Sequence, residues 1–248
     1  MPRTAKPPAA IQSPVLALAG FLALIWLCSL VLLKRDLGKA VVKPKFRNLL
    51  SKSRAINILS GARLFLFGAR DVWFVVALPV TLSSEFGWDF WLVGGFLALW
   101  LIGYGIVQTI APLLTGERHG GRAVFLWAML LAMIPAIIAL GLQSIGLWTV
   151  PGAQGILIAG LLVFGAVFAI NSSLHSYLIL RFANADAVSL DVGFYYMSNA
   201  MGRLLGTLLS GWVFQGYGLV ACLWVSSGLV MLAALISINL PRQHESHS

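Results

Sequence analysis

The chain has 248 residues, of which 59% are hydrophobic and 10% are charged, whereas about 25% of the residues in a soluble domain are charged. Its mean hydropathy is +0.90, and a soluble core of this size cannot bury so much apolar surface. The composition therefore excludes a soluble globular protein and predicts an all-α polytopic membrane protein.

The net charge of +9 is concentrated in one segment. Eight of the 17 basic residues lie between Lys34 and Arg54, where Asp36 is the one acid. A nucleic-acid partner would also suit a basic chain, but Phe46 is the one aromatic residue interleaved with these charges. We interpret the segment as a cytoplasmic loop that fixes the membrane topology and can contact anionic lipid headgroups. The predicted partner is thus the lipid bilayer and not nucleic acid.

Seven apolar stretches are long enough to span about 30 Å of hydrocarbon as helices. A short segment, residues 1–14, precedes the first of them, the basic loop occupies residues 34–61, and residues 241–248 form a cytoplasmic tail. The predicted helices, in chain order, are Val15–Leu33, Ala62–Leu82, Trp91–Leu114, Val124–Leu142, Gly155–Leu180, Val192–Phe214 and Leu219–Leu240.

The basic residues also predict the orientation of these helices. If Lys34–Ser60 is cytoplasmic and the helices alternate in direction, the cytoplasmic side holds twelve Lys and Arg residues, and the other side holds Arg3 and Lys6. This imbalance agrees with the positive-inside rule. The external loops are then Ser83–Phe90, Gln143–Gln154 and Gln215–Gly218.

Two arginines lie where a membrane disfavours charge. Arg70 and Arg203 fall inside the second and sixth predicted helices, and a charge near the bilayer centre costs at least ~2.5–3.5 kcal/mol, so it is usually kept for function. At ~1.5 Å of rise per residue, both approach the midplane, where many membrane transporters bind their substrates. Guanidinium groups suit carboxylate and phosphate oxygens. Asp71 leaves a second interpretation open, a structural ion pair with Arg203 across two helices.

Other polar residues lie within the predicted helices. Arg63 lies seven residues before Arg70, nearer the cytoplasmic side, and is a candidate for ion pairing or coupling. The remaining candidates repeat every four residues, which places them on one side of a helix. They could bind substrate or join helices by hydrogen bonds, and His175 could relay protons or be a satisfied buried histidine. These candidates are Tyr195 and Asn199 in the sixth helix, and Asn171 and His175 in the fifth.

The order of elements resembles the second part of a major facilitator superfamily transporter. One helix, a long basic loop and six further helices match the end of that fold, in which the loop joins two six-helix halves. The stretch Gly116–Arg122 is similar to the superfamily's acid–Arg–x–Gly–x–Arg loop motif, although Leu113 replaces a usual glycine. The motif residues are Glu117, Arg118, Gly120 and Arg122. The resemblance implies that five helices, as a separate or missing N-terminal half, precede this part. A cleaved signal peptide over the first apolar stretch is the other interpretation.

Three segments resemble one branch of the superfamily, the organoarsenical efflux permeases. They are Ser53–Asn57, Phe65–Val76 and Phe194–Gly206. The resemblance implies a multi-pass protein of the bacterial inner membrane. It also implies export of 1-arseno-3-phosphoglycerate, which is made by a glyceraldehyde-3-phosphate dehydrogenase that uses arsenate. Arg70 and Arg203 would then face the anionic substrate.

Two other functions remain open at this point. The chain could export other organic anions or drugs, or it could be a non-transporting half-protein or membrane scaffold. The sequence has no GxxxxGK[ST] phosphate-binding loop, no metal-ligand cluster and no set of residues for nucleophilic catalysis. We therefore expect a secondary transporter without a cofactor, not an enzyme.

Overall fold

The computed structural model describes residues 9–32, 53–115, 121–145, 150–183 and 188–241. Within these ranges the chain is helical apart from short turns and connections, as the composition predicts. It divides into two units, Met1–Lys43 and Pro44–Ser248. The first unit contains α1, Ala9–Leu32, which includes a shorter apolar stretch at Leu16–Leu32.

The second unit contains the other six helices. Five helical stretches in the described residues are long and apolar enough to cross a membrane, one of which combines α2 and α3. The helices are α2 Arg54–Phe74, α3 Ala77–Ser84, α4 Phe90–Thr115, α5 Gly121–Ile145, α6 Val150–Phe182 and α7 Val188–Ser237.

The second predicted helix is interrupted between α2 and α3. Two turn residues, Val75 and Val76, separate the helices. Pro79 explains the position of this break, because it has no N–H to donate to the carbonyl of Val75 four residues earlier. Helix α3 then begins at Ala77, whose N–H donates a hydrogen bond to Ser210 Oγ of α7 at 3.3 Å.

The sixth and seventh predicted helices are joined as α7, which breaks at Gly218. This residue has φ 77° and ψ −175°, a conformation that glycine adopts without a Cβ penalty. Gly68 of α2 lies next to Gly202, which precedes the break in the sequence, and next to Leu229, which follows it. The chain therefore reverses at Gly218, and we call residues 188–217 and 219–237 the first and second arms of α7. The predicted loop Gln215–Gly218 is wrong, because its first three residues remain helical.

Helix α2 packs closely against the first arm of α7 through glycines. A methyl group at Gly206 would lie 2.5 Å from the Gly68 carbonyl oxygen, and one at Gly202 would overlap the Leu64 carbonyl. Backbones that approach this closely require small residues on at least one side. The second arm holds α2 from another direction, because Ser226 Oγ donates to the Ala69 carbonyl at 2.7 Å.

The remaining helices complete a layered bundle around this pair. Ser227 Oγ of the second arm donates to the Ala132 carbonyl of α5 at 2.7 Å, and Trp100 Nε1 of α4 donates to the Leu161 carbonyl of α6 at 3.0 Å. Of the apolar stretch of α4, 11% is buried, compared with 67% of the stretch containing α2. Helix α2 is thus at the centre of the unit, and α4 is at its edge.

Candidate anion site

Asp71 joins the two arginines that the sequence singles out. Arg70 Nε donates to Asp71 Oδ1 at 2.6 Å, and Arg203 Nε donates to Asp71 Oδ2 at 3.2 Å. The Asp71 side chain is 1% exposed, that of Arg70 is 10% exposed, and that of Arg203 is 57% exposed. The exposure of the side chains therefore increases from the buried Asp71 carboxylate to Arg70 and then to Arg203, which is accessible.

The glycine contacts explain how Arg203 reaches Asp71. Gly202 and Gly206 flank Arg203 on the first arm of α7, and both lie against the backbone of α2. A methyl group at Gly206 would approach the Asp71 Cβ to 3.1 Å. Because the two helices are so close at this level, a single carboxylate can accept hydrogen bonds from both of them.

Each arginine retains hydrogen-bonding capacity. Both use Nε toward Asp71, and among the described residues no hydrogen bond is found to the Nη atoms of Arg70 or Arg203. Two guanidinium groups and one carboxylate carry one net positive charge. The arrangement can therefore accept an additional anionic group, and guanidinium Nη atoms bind such groups in bidentate geometry.

The two arginines lie near the middle of their apolar stretches. Arg70 is close to the centre of the combined stretch Arg54–Ser84, although it is only four residues before the end of α2, and Arg203 is close to the centre of the first arm of α7. A helix rises ~1.5 Å per residue, so each arginine is several turns from both ends of its stretch. Their depth in a membrane stays a prediction.

Arg63 forms a second, more deeply buried centre. It is 4% exposed, and its Nη1 donates to the carbonyl and the hydroxyl oxygens of Ser172 at 3.2 and 3.1 Å. Its Cζ lies 4.1 Å from the ring centroid of Phe67 and 5.0 Å from that of Tyr195. Within the described residues, no carboxylate forms a salt bridge with Arg63.

Phe67 lies between the two centres. The Arg70 Cζ is 5.0 Å from its ring centroid, and Phe67 also contacts Phe168 of α6 edge-to-face, at 5.1 Å between centroids. An aromatic face attracts a nearby cation through its quadrupole. The sequence identifies Ser172 only as a polar neighbour of Asn171 and His175, and Phe67 was not predicted to be part of a site. The spacing was informative for Phe67, which is four residues after Arg63 and three before Arg70.

The other predicted site residues are divided between these two centres. Asn171, His175 and Tyr195 are almost completely buried, with exposures of 0%, 1% and 0%. They belong to the helices that surround Arg63, since Asn171 is adjacent to Ser172 and Tyr195 faces the Arg63 guanidinium. Asn199 is half-buried, one turn before Arg203, and its Oδ1 has no hydrogen bond among the described residues.

The predicted loop motif is described in part. Arg122 is exposed in the first turn of α5. Glu117, Arg118 and Gly120 lie outside the described residues.

Comparisons with known proteins agree with this architecture. The family model described as Major Facilitator Superfamily matches residues 59–248, a range that includes both arginine centres. No curated protein and no solved structure gives a match. Because the match covers most of the chain and the described residues form long apolar helices, the protein belongs to the major facilitator superfamily of secondary membrane transporters.

Proposed function

We propose that Arg70, Asp71 and Arg203 form the anion-recognition part of an efflux permease for an organoarsenical phosphoglycerate. The observation that carries the anionic character is one carboxylate shared between two arginines, whose Nη atoms have no hydrogen bonds among the described residues. The arsenical and the direction of transport come from the resemblance of Phe65–Val76 and Phe194–Gly206 to that branch of the superfamily.

The two arginines differ in exposure, and we propose different roles for them. Arg203 is more than half exposed, so it makes the first contact with an incoming phosphate or arsenate group. Arg70 is largely buried and its orientation is fixed by Asp71, so its Nη atoms are held in place for a second contact with the same group. Asn199 lies one helical turn before Arg203, on the same side of the arm. We propose that its amide binds a hydroxyl or carboxylate oxygen of the substrate.

The buried predicted residues have an indirect part in this proposal. Asn171, His175 and Tyr195 surround Arg63 and are almost fully buried, so they reach the substrate only if the helices separate during transport. In the described conformation Tyr195 contacts the Arg63 guanidinium, and Phe67 contacts both Arg63 and Arg70. Their direct contact with substrate stays a prediction.

Transport by arginine variants tests the proposal. We expect Arg203→Gln to reduce export of the organoarsenical about tenfold or more, because a hydrogen bond to a charged group contributes roughly 1.5–3 kcal/mol. Arg203→Lys keeps the charge but loses the bidentate geometry, and should retain part of the activity. Export and arsenate tolerance would be measured in cells that lack other arsenate resistance, at matched membrane expression.

Arg54→Gln is the matched control, because Arg54 is exposed at the start of α2 and lies far along the helix from the site. It should export normally. Normal export by well-inserted Arg70→Gln and Arg203→Gln variants would contradict the proposal.

The geometry selects charge and does not by itself select arsenic, since the free Nη atoms suit any compact oxyanion. A panel of phosphorylated metabolites and other organic anions therefore accompanies the arsenical. Export of another anion, with the same dependence on Arg203, would retain the site and change the substrate. A chain that inserts and transports none of them would support a non-transporting half-protein or scaffold.

A further inference from the structure

We propose that the buried centre around Arg63 binds a small inorganic anion of halide size, at a site separate from the Asp71 trio. The observation is a positive charge without a negative partner. Arg63 is 4% exposed and contacts a serine and two aromatic rings. No carboxylate among the described residues pairs with it.

The known contacts of Arg63 do not neutralise it. Two hydrogen bonds to Ser172 satisfy Nη1, and the rings of Phe67 and Tyr195 attract the cation. A contact of this kind is worth ~0.5–2 kcal/mol, whereas a charge buried in a low-dielectric medium is normally paired with an opposite charge. A bound anion supplies that opposite charge, and a water molecule does not.

Buried polar atoms without hydrogen bonds are found on Arg63 itself and on the neighbouring part of α6. The Nε of Arg63 is buried without a hydrogen bond, and so are both amide atoms of Asn171 and the Nδ1 of His175. Asn171 is next to Ser172, which holds Arg63, and His175 follows Asn171 by one turn of α6. Polar atoms this deeply buried almost always have partners. An anion held by Arg63 Nε and the Asn171 amide nitrogen would satisfy both donors.

Burial limits the size of the ligand. Arg63, Asn171, His175 and Tyr195 are each 4% exposed or less, so an organic molecule has no open path to them in this conformation. Phe67 is 6% exposed and lies between Arg63 and Arg70. The substrate proposed for the Asp71 trio is therefore separated from this position, and the proposed ligand is no larger than a halide ion.

Equilibrium binding to the purified wild-type protein is the direct test. We expect saturable retention of radioactive chloride, with competition by bromide. We also expect a rise in Tm on the order of 5 °C when chloride replaces gluconate at constant ionic strength, at about 100 times the Kd. Absence of saturable chloride retention would overturn the proposal.

The Asn171→Asp variant tests whether chloride binds at the Arg63 centre. Its carboxylate would act as an internal counter-ion for Arg63, so chloride retention should fall about tenfold or more, and Tm in gluconate should not fall. Asn239→Asp is the matched control, because Asn239 is exposed at the end of α7, and it should bind chloride as the wild type does. Full chloride retention by a folded Asn171→Asp variant would contradict the assignment.

Arg203→Gln separates this site from the Asp71 trio. The variant should retain chloride, because Arg203 is not part of the Arg63 centre. Loss of chloride binding in Arg203→Gln, with retention in Asn171→Asp, would place the ion at the trio and overturn the proposal.

Discussion

At the scale of single residues, the site depends most on Asp71. It is 1% exposed and accepts a hydrogen bond from Arg70 and another from Arg203. Replacement of a buried ion-pair partner leaves an uncompensated charge, which costs ~3–5 kcal/mol. We therefore expect Asp71→Asn to lower thermal stability strongly in detergent, as measured by the unfolding temperature of the purified protein.

Two further variants show whether an uncompensated charge causes the loss of thermal stability in Asp71→Asn. Glu85→Gln removes an exposed acid and should change the unfolding temperature little. Addition of Arg70→Gln to Asp71→Asn removes the buried one of the two cations left unpaired and should recover much of the lost stability. Equal stability of Asp71→Asn and the wild type would show that the pair contributes little.

Part of this residue chemistry is predictable from the sequence. Arg70 and Arg203 were conspicuous because charge is costly in a membrane, and the structure contains the Arg203–Asp71 pair that was one of two interpretations. The partners of Arg63 were not predicted. Its contact with Ser172 depends on how α2 and α6 face each other, and periodicity within one helix does not contain that information.

At the scale of the helices, hydropathy located most spans, and local backbone chemistry set their ends. The break before α3 follows from Pro79, which the sequence makes visible. The reversal at Gly218 needs a single residue with positive φ, so the two arms are closer in sequence than a four-residue loop would make them. Glycine is also common in membrane helices because it allows close packing. For this reason the sequence alone did not identify Gly218 as the point where the chain reverses.

The contact between α2 and the first arm of α7 leads to a prediction about Gly202. In Gly202→Ala, the new methyl group meets the backbone of Leu64, which cannot rotate away as a side chain can. Overpacking of this kind costs ~1–3 kcal/mol. We expect a lower unfolding temperature and, because Arg203 is the next residue, a reduced rate of transport.

Gly211→Ala is the matched control on the same arm. A methyl group at Gly211 has no described atom within 4 Å outside its immediate helix surroundings, and alanine favours the helix by up to about 1 kcal/mol. Its stability should equal or exceed that of the wild type. The same result for Gly202→Ala would show that the two helices can separate without loss.

At the scale of the whole molecule, the distribution of basic residues predicts the sidedness of the bundle. Glu85 lies after α3 and Arg122 lies at the start of α5, and both are exposed. With Cys28 and Cys222 replaced by alanine, a membrane-impermeant maleimide should label Glu85→Cys in intact cells. It should label Arg122→Cys after permeabilisation. The reverse pattern would invert the proposed orientation.

The family match and the apolar helices establish a membrane transporter, but the identity of the substrate depends on a few side chains. Composition fixes the membrane class because residues along the whole chain contribute to it. In our proposal, the identity of the substrate depends on the chemistry that Arg70, Asn199 and Arg203 present at one level of the bundle. We therefore expect small changes at these positions to alter specificity without altering the fold.

The sharing of one carboxylate between two arginines has an electrical consequence. If the trio is the substrate site that we propose, it carries one positive charge before substrate binds, and the membrane potential acts on that charge at ~2.3 kcal/mol per elementary charge per 100 mV. A bound monoanion would make the loaded trio neutral, whereas a dianion would reverse its sign. The charge state of the transported molecule therefore decides which half of the transport cycle the voltage drives.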